Sequence, residues 1–479
     1  MLKKFKAHPL MIITFLKPFL IVLLFPIVNG VIQYIKYQTY DSILGAELFL
    51  FGIITAIAFF RWYSFSLICD TANKTVTVNK GLVFKRIATI SVSKISSVQA
   101  ERTPIDDIFR SVTYRINTEA GITARPDFEF KLSIKNSKTV SDLLYGKHET
   151  KTVKFSAIRI AILAATTSSA FTGIIIGVPL LNSAGKLLGV AISDMLFDEI
   201  NNVSSKIQTY FPPVVNTISL IILIAYFFSF VYSFLKFVRF KLFLQDEKLE
   251  IHTGFFVRLR TAFTKSAIND IKVEQTPLML LLRRFAMKVS VGGYGSNGKG
   301  EGELIIPLGD DSEIKRQLED YFPFLTNKKD GIKATQTRLT ESRFLFWPAI
   351  YLLVTVTAAI ILSLLFSEFT RFIFFLTIIA LVFIFYRAYL AVFEFKKGTV
   401  SLGDNIFCRS NKFLRTCEMY CPKERIGEIK LIRFPPDYFF YNTCRVRISV
   451  RSERADSIRV RLLDYEKVKE EINKCFNIE

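Results

Sequence analysis

Apolar residues along this chain follow two periods. Six long runs have no polar face: about residues 15–35, 43–63, 155–181, 214–236, 344–366 and 371–392. Runs of that length predict membrane-spanning helices, and their pairing predicts three hairpins. Between the pairs, short runs alternate apolar with polar positions, as in Thr75-Val76-Thr77-Val78, Leu249-Glu250-Ile251-His252 and Val400-Ser401-Leu402. The same alternation returns at Phe130-Lys131-Leu132 and Val446-Arg447-Ile448. A period of two means a strand with one face buried. Each strand-rich segment then closes on a short helical pattern, at 140–145, at 313–321 behind Asp311-Ser312, and at 465–476 behind Asp464. In the last, Val468, Ile472 and Phe476 share one face.

The pattern is repeated. A shift of 173 residues carries Gly81 onto Gly254, Ile95 onto Ile268, Val98 onto Ile271, Thr103-Pro104 onto Thr276-Pro277 and Arg110 onto Arg283. A further shift of 158 carries Ile268, Ile271 and Pro277 onto Ile426, Ile429 and Pro435. Such a period marks one unit copied along the chain. The predicted organisation is hairpin 1–65, domain 66–152, hairpin 153–238, domain 239–325, linker 326–343, hairpin 344–393 and domain 394–479. Gly81 and Gly254 suit the turn after the first strand, where positive φ is useful. In the third copy Asn405 takes the turn position and Phe434 replaces the threonine.

The order of spans and strands, with Ile-x-x-[Ile/Val] ahead of Thr-Pro and then Arg, resembles the bacterial pleckstrin-homology (PH) membrane proteins of the YdbT type. Residues 95–110 and 268–283 carry the resemblance best. It implies an α + β membrane protein: six transmembrane helices in three hairpins, each followed by a cytoplasmic PH-like, partly open antiparallel β-barrel capped by a helix. It also implies a smaller companion with one hairpin and one domain.

Composition agrees with a membrane protein, at 51% hydrophobic residues and 47 phenylalanines. The net charge of +21 is concentrated in the three domain segments, while the segments joining the two spans of each hairpin are near neutral or acidic. By the positive-inside rule the N-terminus and all three domains face the cytoplasm of a multi-pass plasma-membrane protein. The six cysteines, all on that side, are expected as reduced thiols.

Candidate chemistry is sparse. Arg445, Arg447 and Arg451 share the outward face of one strand, and Arg459 and Arg461 repeat the pattern on its expected neighbour. Crowded cations ask for nearby acids, such as Glu453 or Asp456, or for an anionic partner such as lipid headgroups. Lys80, Lys85 and Arg86, and again Arg258, Arg260 and Lys265, surround the first turn of their domains, which in PH domains often binds phosphorylated headgroups. Ala157, Ala161, Ala165, Ser169, Gly173 and Gly177 form a small-residue stripe suited to helix contact, within the chain or between copies. The run 293–300 nearly matches a phosphate loop but lacks the Ser/Thr and the following helix. Cys408, Cys417 and Cys421 lack a partnering pair of metal ligands. With His8, His148 and His252 the only histidines, no nucleophile–base set is visible, and neither enzyme, cofactor, metal nor nucleic acid is expected. Lys17, Glu47, Arg159 and Arg371 lie in or beside the runs, Lys17 deepest. The reading is a non-enzymatic scaffold binding a protein partner or anionic lipid, the alternative a transporter or export accessory using the helices as a conduit.

Overall fold

A computed structural model describes residues 2–17, 19, 42–81, 84–118, 126–146, 151–169, 213–245, 247–291, 302–325, 331–333, 338–412, 414–435, 437–450 and 457–476. The first repeat opens with β1 (Leu2–Lys6), ahead of helix α1 (Ser42–Tyr63). Strands β2 (Ser66–Asp70), β3 (Thr75–Lys80) and β4 (Arg86–Ser91) follow. Next come β5 (Ile95–Arg102), α2 (Pro104–Ile108), β6 (Ser111–Thr118), β7 (Phe128–Ser133) and the closing helix α3 (Ile134–Tyr145). The second repeat runs β8 (Lys151–Lys154), α4 (Ala157–Thr167), α5 (Pro213–Phe237), β9 (Lys241–Leu244), β10 (Lys248–Thr253) and β11 (Arg258–Thr264). It continues through β12 (Ile268–Gln275), α6 (Pro277–Leu281), β13 (Phe285–Val291), β14 (Glu303–Gly309) and α7 (Asp311–Tyr321). The third has β15 (Ile332–Lys333), α8 (Arg338–Leu365), α9 (Thr370–Lys397), β16 (Thr399–Ser401), β17 (Asn405–Lys412) and β18 (Arg415–Pro422). It ends with β19 (Ile426–Ile432), β20 (Thr443–Val450), β21 (Ser457–Asp464) and α10 (Tyr465–Phe476).

Each repeat is therefore a β-module with its helices inserted after the first strand. β1 pairs with β2 across them, Leu2 opposite Asp70 and Lys6 opposite Ser66. β15 pairs with β16 in the same way. In the first module Trp62 donates its indole N–H to the Ala7 carbonyl at 2.9 Å. Arg61 lies over the Phe15 ring. Arg61 and Trp62, at the end of the second expected span, thus bind the module itself.

Among the described residues the strands form four antiparallel sheets, ordered β1-β2-β3-β4, β7-β6-β5-β11-β10-β9-β8, β14-β13-β12-β18-β17-β16-β15 and β19-β20-β21. The first and third modules are each a sandwich of four strands against three, closed by the last helix. In the first, Leu67, Val76 and Val78 of one layer meet Val98, Val112 and Leu132 of the other, and α3 closes them with Val140 and Leu144. The third packs Ile406, Cys408 and Met419 on Val446, Ile448 and Val460, under Val468, Ile472 and Phe476. The chain divides into two compact units, Met1–Val153 with Lys241–Ala267 and Val291–Lys299, and Lys154–Phe240 with Ile268–Ser290 and Gly300–Glu479.

The six-span arrangement is overturned. Among the described residues two helices are long and apolar enough to cross a membrane, Arg343–Leu365 and Phe372–Lys397. Helix α4, in the first part of the third expected span, ends at Thr167, because Ser168 turns extended and its N–H and hydroxyl both close on the Ala164 carbonyl. Eleven residues of helix rise about 16 Å, half a bilayer core. Ile160, Leu163 and Ala164 are buried against protein, with α4 packed on α5 and β14. Composition does not separate that environment from lipid. Within α1 and α5 the described apolar segments are Phe49–Tyr63 and Ile221–Phe237. Residues 20–41 and 170–212, which include parts of the first and third expected spans, lie outside the described residues. The asparagine reading of the third turn is also corrected. Asn405 opens β17, and the hairpin closes where Lys412 faces Arg415.

The repeated Thr-Pro is a helix start. Thr103 caps α2, and Asp106 answers it reciprocally, taking the Thr103 N–H at 3.1 Å and its hydroxyl at 2.8 Å. The buried Asp106 also accepts from Ser111 at 2.5 Å and Lys131 at 2.7 Å. Thr276 caps α6 likewise, with buried Met279 at the aspartate's position. Arg110 and Arg283 then turn the chain at φ +53° and +52°. In the third copy Asp437 takes the Phe434 N–H at 3.1 Å, and Asn442 turns the chain at φ +45°.

Burial alone would raise the Asp106 pKa, but the Lys131, Ser111 and Thr103 donors outweigh it and hold it at about 2. With an unfolded value near 4, this stability is complete above about pH 4 and is lost as pH falls toward 2. Asp106→Asn is expected to cost about 2 kcal/mol at neutral pH and to flatten that acid limb. Thermal unfolding in detergent across the range reads this, and parallel curves for the two proteins would count against it. At Gly254, φ is +96° and an added Cβ would sit 1.9 Å from the Val257 carbonyl oxygen. Gly254→Ala is expected to destabilise by about 2 kcal/mol, read as a lowered Tm. An unchanged Tm would show that the turn relaxes.

Candidate functional site

Alternation on β20 buries Val446, Ile448 and Val450 and turns Arg445 and Arg447 outward. The neighbouring strand does the same, with Arg459 directly opposite Arg447. On the other side Lys430 of β19 faces Arg447, so Lys430, Arg447 and Arg459 form one row across three strands. Lys430 holds the half-exposed Glu428 at 3.0 Å, and Arg447 donates to the Ser457 hydroxyl at 3.1 Å. Arg459 is exposed and makes no ion pair among the described residues. Arg451 lies outside the described residues.

A second row holds Arg445 and Arg461, with different fates. A register shift between Cys444 and Val446, with Leu462 at φ +57°, keeps Arg461 on the outward face. There it donates from Nε to Glu394 Oε1 at 3.0 Å and from a terminal nitrogen to Oε2. Burial opposes the Arg461 charge, but the Glu394 carboxylate outweighs it and raises the pKa above the usual guanidinium value. Arg445 has no such acid. It lies 4.3 Å from the Phe434 ring centre, and its buried Nε has no hydrogen-bond partner. Burial lowers its pKa, with the Arg461 and Arg343 charges adding to the effect against Asp437. Desolvated cations with an unfilled donor suit an anionic ligand.

These groups sit at the foot of the α8–α9 hairpin. Arg343 near the start of α8 binds buried Asp437, and Glu394 near the end of α9 binds Arg461. Between them Phe344, Ala391, Phe395 and Leu462 form a small buried cluster. Above the foot, the apolar surface of the two helices is exposed, as at Trp347, Leu353, Phe374 and Val382.

The same positions elsewhere are neutralised. In the first module Arg115 binds Glu101 and, at 3.1 Å, Glu129, while Lys131 binds Asp106. In the second repeat Lys288 holds Glu274 at 3.1 Å. Surplus cations on this face are therefore a property of the third module and no requirement of the fold.

The residues around the first turns divide. Lys80 and Arg86 line a cavity of about 560 Å³ with Arg61, Phe15, Phe84 and Asp127, and Lys85 is exposed nearby. Arg258 reaches Asp107 at 3.5 Å. Arg260 binds Glu250 with two nitrogens, donates to Ser141 at 2.9 Å and lies 3.7 Å from the Tyr145 ring centre. Both hold β11 to the first module. Lys265 donates its backbone N–H to the Glu247 carbonyl.

Within the small-residue stripe, Ala157 is exposed, Ala161 and Ala165 are partly buried, and Ser169 lies past the end of α4. Gly173, Gly177 and the 293–300 loop lie outside the described residues. Arg159 binds Glu313 at 2.8 Å, and Lys17 is exposed on a helical turn. Five of the six free cysteines are buried. No group of three or more metal-ligating side chains occurs among the described residues. Sequence reasoning missed Lys430, Glu394 and Asp437. Both repeat shifts applied in turn carry Asp106 onto Asp437, so that one was within reach.

No curated protein and no solved structure gives a significant match. The family model described as the bacterial PH domain matches twice, over residues 12–148 and 187–321. The first match contains helices and strands of one module together, as the insertion requires. The third module lies outside both matches and joins the repeat through its strand order. With more than half of its length matched, the chain belongs to the bacterial PH domain family.

Proposed function

We propose that this protein is a non-enzymatic, membrane-bound scaffold whose third PH-like module presents a basic sheet face to anionic lipid headgroups. The observation that carries the reading is the row Lys430, Arg447 and Arg459, beside the desolvated Arg445, on a face tied through Arg461 to the foot of an exposed apolar hairpin. Family membership supports a binding role, since PH domains are in general interaction modules. The cationic excess of the module segments supports placing them on the cytoplasmic side of the plasma membrane.

Full-length protein in nanodiscs of phosphatidylcholine, with and without phosphatidylglycerol, tests this. Each basic residue near such a surface contributes about 1 kcal/mol. Arg447→Glu with Arg459→Glu is expected to lower the preference for the anionic lipid by about tenfold or more, an effect that shrinks with added salt. An unchanged preference, or one that disappears only with loss of a co-purifying protein, would overturn the lipid reading. Arg461→Ala is expected to act on stability instead, costing about 2–3 kcal/mol because Glu394 is left buried with one fewer donor. A Tm unchanged by that substitution would remove Arg461 from its anchoring role.

A further inference from the structure

Joints of one kind join successive repeats, and among the described residues both halves of another joint are left open. β11 lies along the edge of β5 with Ala262 opposite Val98, and β18 lies along β12 with Tyr420 opposite Ile271. The shift of 173 carries Val98 onto Ile271, and the shift of 158 carries Ala262 onto Tyr420. The two joints therefore share one register. Burial follows from it: Thr261, Ala262 and Phe263 are buried, and so are their counterparts Met419, Tyr420 and Cys421.

The counterpart of β5 and β12 in the third copy is β19, which ends its three-stranded sheet and contains no buried residue. The counterpart of β11 and β18 in the first copy is β4, which ends its four-stranded sheet and again contains none. An edge strand presents unpaired N–H and C=O groups, a template for a further strand. One edge is of the donor type used twice in this chain, and the other is of the matching acceptor type.

We propose that β19 of one molecule pairs antiparallel with β4 of a second copy, in the register that sets Ile429 opposite Thr89. The same two shifts fix that register, since Ile429 follows Ile271 by 158 residues and Thr89 precedes Ala262 by 173. Leu431 then faces Ile87, which is 70% exposed. Ile87 takes the place held in the first joint by Arg260, which packs on Tyr145 of the closing helix. Both shifts together carry Tyr145 onto Phe476 of α10, so the exposed isoleucine meets an aromatic side chain. At the end of the first joint Arg102 faces Arg258, and Asp107 bridges both, at 2.5 and 3.5 Å. In the new joint Arg433 faces Lys85, and Tyr438 stands where Asp107 would be. Added salt should therefore strengthen the association by screening two like charges. Because the two surfaces differ, the contact passes from molecule to molecule unless the rotation closes a ring. This inference stands independently of the headgroup reading.

Thr89→Cys and Ile429→Cys, each in the full-length protein in detergent, provide the test. Facing Cβ atoms about 5 Å apart come within disulfide range after small adjustment. Oxidation is expected to give a covalent dimer when the two variants are mixed, above the background of either alone and of the unaltered protein. The unaltered protein should associate with rising concentration and with added salt. Ile87→Glu, at an exposed position and with unchanged circular dichroism, should weaken this by about tenfold or more. A dimer formed equally by one variant alone would overturn the proposal. So would an Ile429→Cys adduct in native membranes with a different protein only. Mass measurements showing a monomer at every concentration would do the same.

Discussion

A β-strand at the edge of a sheet must find partners for its backbone N–H and C=O groups or leave them to water. In this protein that requirement joins one repeat to the next. β5 and β12 each offer an edge, and the following repeat covers it with β11 or β18, so sheets of seven strands form where a lone module has three or four. The cost of an exposed edge is thereby removed twice, and the side chains along the seams become buried. Arg260 shows how the seam is reinforced, binding Glu250 on its own sheet and stacking on Tyr145 of the preceding module.

Inserting the helices between the first and second strands sets a second constraint. The two ends of the insertion must lie a strand's width apart, because β1 and β2, or β15 and β16, are hydrogen-bonded neighbours. At the third hairpin buried carboxylates enforce this, Asp437 on Arg343 and Glu394 on Arg461. A buried carboxylate is tolerated only with its charge matched and its oxygens filled, so each also fixes which arginine remains available at the surface. Arg461 is consumed by the fold, while Lys430 holds the half-exposed Glu428, Arg447 donates to the Ser457 hydroxyl and Arg459 stays exposed.

The Thr-Pro turns show one backbone device solved with different side chains. A capped helical turn followed by a residue at positive φ recurs in α2 and α6, and Asp437 starts the corresponding turn of the third copy. The buried position inside the turn holds Asp106 where Lys131 can match it, the uncharged Met279 in the second copy, and Asp437 where Arg343 arrives. Backbone geometry is kept while the buried side chain follows its local neighbours.

The chain's letters were enough for the repeat, its two shifts, the strands with one buried face, the closing helices and the outward arginines of β20 and β21. Those features depend on local periodicity, which a linear pattern records directly. Three matters were decided only in three dimensions. Apolar runs at 155–181 and elsewhere read as spans because burial in protein and burial in lipid select the same side chains, and only the packing of Ile160 and Leu163 separates them. β1, β8 and β15 are too short to show a period, so the insertion of the helices was hidden. The availability of each cation depended on acids remote in sequence, Glu394 for Arg461 and Glu250 for Arg260, because Coulomb pairing acts through space and leaves no mark on the spacing of residues along the chain.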